Sequence, residues 1–146
     1  RQLDVLAPEL ARRVRAVGDM LPSLLTGTPV LAHGDVSPDQ VLYEYSTGRI
    51  WLTDFDRVRL APAAMDLGSY LAEAPPSQRH ALLEGYATHR PVPGAEELGW
   101  AIALSRLARL ADPLRRAHPS WRERIGADLT AIERIAQSPG EETTWA

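Results

Sequence analysis

Apolar residues near the start of the chain recur at steps of three or four positions. This spacing places their side chains on one face of an α-helix. The positions concerned are Leu3, Leu6, Leu10, Val14, Val17 and Leu21. The pattern predicts an amphipathic helix over residues 3–21 that ends at Pro22.

The period changes after this helix. The segments PVLAH, QVLYEY and RIWLTDF are short and rich in β-branched and aromatic residues, a composition that favours strands. The second and third segments are separated by STG, a hairpin-type connection in which Gly48 can take a positive φ. The pattern therefore predicts a small β-hairpin preceded by a loop.

After Asp56 the helical period returns and continues along the chain. The predicted helices, separated by prolines, cover 63–74, 77–90, 95–117 and 120–137. Apolar stripes on the last two helices indicate buried core rather than a cofactor site. The sequence thus predicts an α+β fold with a single domain over residues 1–137 and a flexible tail over 138–146. The stretch 29–74 contains every strand-like segment and precedes a helical remainder over 77–137.

Composition excludes several kinds of site. The 146 residues include no Cys, which rules out disulfides, thiolate zinc sites and cysteine nucleophiles, so a reducing, cytoplasmic location is expected. The net charge of -3, from 16 basic and 19 acidic residues, is too balanced for a nucleic-acid-binding surface. No apolar run is long enough for a membrane span, so we expect a soluble protein that binds neither nucleic acid nor membrane. Lys is absent, which excludes a phosphate-binding lysine from this chain.

Acidic residues lie at the edges of the predicted strands. Asp35 follows the first strand on a loop, and Asp54 and Asp56 follow the third. Gln40 opens the second strand, and because the strands of a hairpin are antiparallel, the start of the second lies beside the end of the third. We therefore expect Asp35, Gln40 and Asp54 to converge.

Oxygen ligands of this kind suit a hard cation. Two carboxylates and an amide fit Mg²⁺ or Mn²⁺, because such ions bind few protein ligands and leave room for water or phosphate oxygens. A further carboxylate could orient a substrate hydroxyl, and this combination is the catalytic half of a phosphotransferase. The alternative is that these are ordinary turn residues at strand ends. Their joint spacing favours the functional interpretation.

Three strings carry a resemblance to a known family. HGDVSPDQ is followed after the hairpin by TDFD and then by MDLGSYLA. Over residues 29 to 74 this order resembles the catalytic core of the aminoglycoside phosphotransferase family, kinase-like enzymes that also include choline, homoserine and fructosamine kinases. The resemblance implies a mostly helical, kinase-like C-terminal lobe with a short β-hairpin that carries the catalytic and metal motifs. The helical remainder agrees in type but not in motif.

The resemblance also implies roles for individual residues. Asp35 would be the catalytic base that accepts the proton of the substrate hydroxyl or orients that hydroxyl. Asp54 would be the main Mg²⁺ ligand, and Gln40 would stand where the family pattern HGDxxxxN has a metal-binding Asn. Gln keeps the amide oxygen but adds a methylene, which changes the geometry of ligation. Asp56 would make a second metal contact or remain a solvated turn carboxylate.

Two further residues would hold the loop that carries Asp35. By the resemblance, His33 and Asp66 form a structural brace of the catalytic loop, with Asp66 at the start of the helix that follows. The alternative for Asp66 is a first-turn carboxylate that the helix dipole favours.

A nucleotide cradle is missing from the sequence. Phosphoryl transfer needs a glycine-rich loop and a lysine on the triphosphate, and the ten glycines include no G-x-G pair. In the resembling family these parts belong to an N-terminal lobe, so the resemblance implies a catalytic lobe that works with such a lobe in cis or in trans. The nucleotide-binding residues are not indicated, although Arg57 and Arg59 could replace part of the missing positive charge.

The expected function is transfer of the γ-phosphoryl group of ATP or GTP to a hydroxyl, with Mg²⁺ or Mn²⁺. The acceptor would be an aminoglycoside or related antibiotic, which would make the activity one of antibiotic resistance, or a sugar or an amino alcohol. The alternative is a non-catalytic binding or regulatory module that keeps a kinase-like lobe, and Gln40 and the missing lysine motivate it.

Overall fold

The computed structural model describes residues 2–141, which form an α+β fold that is mostly helical, as predicted. The helices are α1 (Gln2–Leu6), α2 (Pro8–Met20), α3 (Ala64–Glu73), α4 (Pro76–Ala87), α5 (Ala95–Arg109), α6 (Asp112–Arg115) and α7 (Trp121–Gln137). The strands are β1 (Pro29–Ala32), β2 (Val41–Glu44), β3 (Arg49–Leu52) and β4 (Arg59–Pro62). Within the described residues, no helix has both the length and the apolar character needed to cross a membrane.

The first helix of the chain is divided, where the apolar pattern predicted one continuous helix over 3–21. The break falls at Ala7, whose φ of -155 and ψ of 75 are not helical. The cause is Pro8, because the proline ring disfavours helical dihedrals in the residue before it. Apolar periodicity does not detect this break, since Leu3, Leu6 and Leu10 continue the helical spacing of apolar residues across Ala7 and Pro8.

The predicted hairpin is confirmed. Strands β2 and β3 pair antiparallel, with Val41 opposite Leu52 and Glu44 opposite Arg49. Gly48 in the connecting turn has a φ of 70, a left-handed value that glycine takes without steric cost. Pairing at the open end of the hairpin continues past the strands, since the Thr53 N–H donates to the Gln40 carbonyl at 3.1 Å.

Strand β4 was not predicted, because the chain was expected to be helical after Asp56. It pairs antiparallel with β1, with Pro29 opposite Pro62 and Ala32 opposite Arg59, and these two strands form a sheet separate from the hairpin. Four residues are too few to show an alternating pattern, and the pairing partner lies far back in the sequence. This non-local pairing brings the chain after TDFD back beside the strand that precedes HGD.

The helices form the hydrophobic core. Helices α3 and α5 are in close contact at Gly68, where an added Cβ would lie 2.4 Å from the Ala101 Cβ. The largest side chains with almost no exposure are Val17, Leu71, Ile102, Ile125, Leu129, Ile132 and Ile135. The apolar seam predicted on α7 is thus confirmed as core. Because α3 and α5 approach so closely, side chains on their cleft-facing ends can meet.

The helix predicted over 95–117 ends early. Helix α5 ends at Arg109, and α6 begins at Asp112 with Pro113 in its first turn. Pro113 has no amide hydrogen to donate to the Arg109 carbonyl, so the helix cannot continue through it. Of the predicted flexible tail, residues 142–146 lie outside the described residues. The preceding part contacts the core, since a Cβ at Gly99 would lie 2.0 Å from the Pro139 carbonyl oxygen.

Candidate active site

The loop that carries Asp35 is tied to helix α3 by Asp66. The carboxylate of Asp66 accepts the backbone N–H of His33 at 2.7 Å and that of Gly34 at 2.8 Å. Asp66 also lies in the first turn of α3, so the helix dipole favours its charge. The contacts and the position of Asp66 are compatible with both explanations that the sequence offered. We call residues 33–37 the Asp35 loop.

His33 ties the same loop to the end of the hairpin. Its Nε2 lies 2.8 Å from the carbonyl oxygen of Thr53. A carbonyl oxygen only accepts, so Nε2 carries the proton, and the buried Nδ1 has no hydrogen-bond partner among the described residues. The imidazole also lies against the Phe55 ring, with 4.9 Å between ring centroids. His33 is 5% exposed and acts as an internal link rather than as a group facing substrate.

A glycine lets the two motif segments touch. Gly34 has a φ of 88, and an added Cβ would lie 2.2 Å from the carbonyl oxygen of Arg57. Any other residue would push these backbones apart. The glycine of HGD is thus the reason that the Asp35 loop lies directly against the turn that follows Asp54.

The backbone of Asp54 has a left-handed conformation. Its φ of 66 and ψ of 58 lie in the left-handed region. This region costs a residue with a Cβ roughly 1–2 kcal/mol, although Asp and Asn tolerate it better than most. Strain of this kind is often found at functional sites. Here it accompanies an exposed carboxylate at the mouth of a cleft.

Gln40 meets Asp54 as the hairpin geometry predicts, but with its nitrogen. The Gln40 Nε2 donates to Asp54 Oδ2 at 3.2 Å, and the Gln40 Oε1 accepts the backbone N–H of Ser37 at 3.1 Å. If the oxygen and nitrogen of the amide were exchanged, the Gln40 NH₂ group would face the N–H of Ser37, and both groups are donors. The amide oxygen of Gln40 thus turns back to the Asp35 loop, and its nitrogen contacts the Asp54 carboxylate.

Asp35 is held between two arginines. Its Oδ2 lies 3.1 Å from an Arg57 nitrogen, and its Oδ1 lies 2.5 Å from an Arg109 nitrogen. The sequence had suggested that Arg57 supplies positive charge near the metal motif. The sequence gives no sign of the Arg109 contact, because Arg109 falls inside the helix predicted over 95–117, and only the structure ends α5 at this residue.

The predicted residues separate into three groups. Asp35, Gln40 and Asp54 line one cleft of about 610 Å³ together with Arg57 and Arg109. His33 and Asp66 border a different, apolar cavity of about 810 Å³ and support the loop from behind. Asp56 is exposed and does not line the cleft. Its suggested metal contact therefore has no support in the geometry.

The donors present fit a cation held mainly by substrate. Within the described residues, no group of three or more His, Asp or Glu side chains is arranged to hold a metal ion. Mg²⁺ is commonly bound by one or two carboxylates together with phosphate oxygens and waters. Asp54 fits that mode as a single exposed carboxylate, whereas Gln40 would first have to rotate its amide.

Comparison with known proteins was consistent with this geometry. The model of the phosphotransferase enzyme family matches residues 1–100 of the chain. This range contains the Asp35 loop, the hairpin, Asp54 and Asp66, and it ends within α5. Comparison with curated proteins and with solved structures gave no match.

Proposed function

This chain belongs to the phosphotransferase enzyme family, and we propose that it is the catalytic lobe of a small-molecule kinase. The substrate pair would be ATP or GTP and a hydroxylated acceptor. The observation that carries the proposal is the placement of two carboxylates, Asp35 and Asp54, on one cleft, where separate supports hold each of them.

The chemistry needs one base and one phosphate-facing carboxylate. The acceptor hydroxyl oxygen would form a bond to the γ-phosphorus, the bond from that phosphorus to the β,γ-bridging oxygen would break, and the nucleoside diphosphate would leave. Asp35 would orient the hydroxyl and accept its proton, which then passes to solvent. Arg57 and Arg59 line the same cleft, where their charges favour phosphate oxygens.

Asp54 would hold the divalent cation, Mg²⁺ or Mn²⁺, and Gln40 would orient the Asp54 carboxylate through its Nε2. When bound, the cation would neutralise charge on the phosphate oxygens. The exposed position of Asp54 leaves room for phosphate and water ligands. Because the chain has no Lys and no G-x-G pair, we propose that the nucleotide cradle comes from an N-terminal lobe in cis or in trans.

The acceptor would be an aminoglycoside or related antibiotic, a sugar or an amino alcohol. Glu73 is a carboxylate of the cleft that could bind an acceptor amine, but it already lies 2.9 Å from an Arg109 nitrogen. A cationic acceptor would have to compete for it. The acceptor panel should therefore include neutral sugars as well as amines.

The test is a transfer assay with labelled ATP or GTP, Mg²⁺ and the acceptor panel. The purified chain is assayed alone and combined with an N-terminal nucleotide-binding lobe, and transfer is expected only from the combination, since positioning of the γ-phosphoryl group needs the cradle. In that combination Asp35→Asn is expected to lower turnover by about 10²–10⁴-fold, the usual contribution of a general base. Nucleotide affinity is expected to stay within about twofold, because the base acts mainly on the way to the transition state.

Asp39→Asn is the matched control, since Asp39 lines the same cleft and its contact is with the Ser37 hydroxyl. It is expected to transfer at nearly the wild-type rate. Wild-type turnover by Asp35→Asn would exclude Asp35 as the base.

A second candidate is a non-catalytic kinase-like binding or regulatory module. The orientation of Gln40 favours it, because the side chain presents an amide nitrogen to Asp54 where a metal ligand would present oxygen. Nucleotide binding with no transfer to any acceptor, even with the N-terminal lobe present, would support this alternative.

A further inference from the structure

We propose that Arg109 is the positioning residue of the site: it fixes Asp35 Oδ1 and leaves Oδ2 as the oxygen that meets the acceptor hydroxyl. This inference rests on the proposed function, because it assigns a task to Asp35 as the catalytic carboxylate. It concerns a residue outside the range that the family model matches, which ends at residue 100. The helical part of the chain would thereby complete a site whose motifs all lie before it.

The contacts of Arg109 hold the guanidinium in one place. One terminal nitrogen donates to Asp35 Oδ1 and, at 2.9 Å, to the Ser69 hydroxyl. The other donates to the Ser105 hydroxyl at 2.8 Å and lies 2.9 Å from a Glu73 oxygen. The partners thus come from the Asp35 loop, from α3 and from α5 itself. A planar guanidinium satisfied on both forks has little freedom to rotate.

The second arginine on Asp35 is of a different kind. The Arg57 side chain is 69% exposed, and among the described residues it pairs with Oδ2 alone, at 3.1 Å. The Arg109 side chain is 22% exposed. An exposed single contact is weak and exchanges readily with water. An acceptor hydroxyl can therefore displace Arg57 from Oδ2, while Oδ1 stays held by a side chain that is itself anchored.

The consequence for catalysis is orientation of the carboxylate. Asp35 lies on a loop, and its carboxylate can turn about the bond to Cβ unless one oxygen is fixed. Misplacing a reacting group by about 1 Å can cost on the order of 10²-fold in rate. Loss of Arg109 should therefore lower the rate of transfer without weakening nucleotide binding.

The kinetic test compares three variants in the chain combined with an N-terminal lobe. Arg109→Ala is expected to lower kcat by about 10- to 100-fold, with the KM for nucleotide unchanged. Arg109→Lys is not expected to restore the rate, because a single ammonium cannot reach Asp35, Ser69 and Ser105 together. Added guanidinium ion should recover part of the Arg109→Ala activity, and methylammonium at the same concentration should not.

Arg106→Ala is the matched control. Arg106 lies on the same helix, its side chain is 23% exposed, and it pairs with Asp128 at 3.7 Å, away from the cleft. Arg106→Ala should lower the free energy of unfolding, but its kcat should stay near the wild-type value and should not respond to added guanidinium ion. Equal losses in both arginine variants, or wild-type kcat in Arg109→Ala, would overturn the proposal.

A measurement that does not need activity separates this inference from the proposed function. In the chain itself, NMR of the arginine side chains should show slowed rotation of the Arg109 guanidinium. Asp35→Ala, which leaves no acceptor at this position, should reduce that slowing, while the contacts with Ser69, Ser105 and Glu73 keep part of it. Arg109 signals that average as freely as those of exposed Arg116 would overturn the inference, even in an active enzyme. If rotation of the guanidinium is slowed but the protein transfers phosphate to no acceptor, the pairing of Arg109 with Asp35 is supported and the kinase function is rejected.

Discussion

Replacing Asp66 by Asn is the most direct test of how the site is held together. The substitution keeps the size of the side chain but removes its charge and one of its two acceptor oxygens. In the wild type each carboxylate oxygen accepts one backbone N–H, from His33 at 2.7 Å and from Gly34 at 2.8 Å. In Asp66→Asn, one of these N–H groups would face the new amide NH₂, which also donates.

The magnitude follows from these two bonds. A hydrogen bond to a charged group contributes about 1.5–3 kcal/mol net, and a neutral one about 1 kcal/mol. The substitution removes one hydrogen bond to a charged group and makes the other neutral, so the range for the total loss begins at about 2 kcal/mol. Because Asp66 is only half-buried, we expect a loss at this lower end. For a domain of this size that loss corresponds to a fall in Tm of about 6 °C.

The assay is thermal and urea unfolding followed by circular dichroism, together with hydrogen exchange at the amides of His33 and Gly34. Asp128→Asn is the control, because Asp128 has an ion pair with Arg106 at 3.7 Å and a side chain that is 43% exposed. Such a pair contributes about 0–1 kcal/mol. If Asp66→Asn melted within about 2 °C of the control and left both amides protected, the reasoning about this brace would be refuted.

Three further experiments test the core, the strained aspartate and the surface charges. Leu71→Ala should cost about 2–5 kcal/mol in urea unfolding, because Leu71 is fully buried, whereas Leu31→Ala, at a position 76% exposed, should cost less than about 0.5 kcal/mol; similar costs would contradict the assigned core. Asp54→Gly should be about 1 kcal/mol more stable than Asp54→Ala, since only glycine takes the left-handed backbone freely, and equal stabilities would argue against strain there. The Arg13 guanidinium, chiefly by hydrogen bonding, holds the pKa of Glu133 below its usual value of 4.5, so the stability that this pair contributes is present above pH 4.5 and is lost as the pH falls through the lowered pKa. Arg13→Met should therefore flatten the loss of unfolding free energy on acidification by less than about 1 kcal/mol, and an unchanged pH dependence would exclude the pair as its source.

Local pairing explains why the sequence predicted much of the site. The hairpin needs only neighbouring residues, so the strand-like pattern and Gly48 were sufficient to place Gln40 beside Asp54. The motif order also indicated the family, and the family model matches over residues 1–100. The sequence did not predict which atom of the Gln40 amide faces Asp54. That orientation depends on the N–H of Ser37 and not on residue type alone.

Contacts between distant parts of the chain were decided only by the tertiary structure. Strand β4 forms by pairing with β1, and its four residues are too few for a sequence pattern that would predict this pairing. Arg109 lies 74 positions after Asp35, and the two side chains meet only because the tertiary fold brings α5 beside α3 and the Asp35 loop. Periodicity reports which face of a helix is buried, but it contains no information about which other helix or loop that face will meet. The sequence by itself therefore determined most of the helices, the hairpin and the motifs that indicate the family, and long-range packing determined which arginines contact the Asp35 carboxylate.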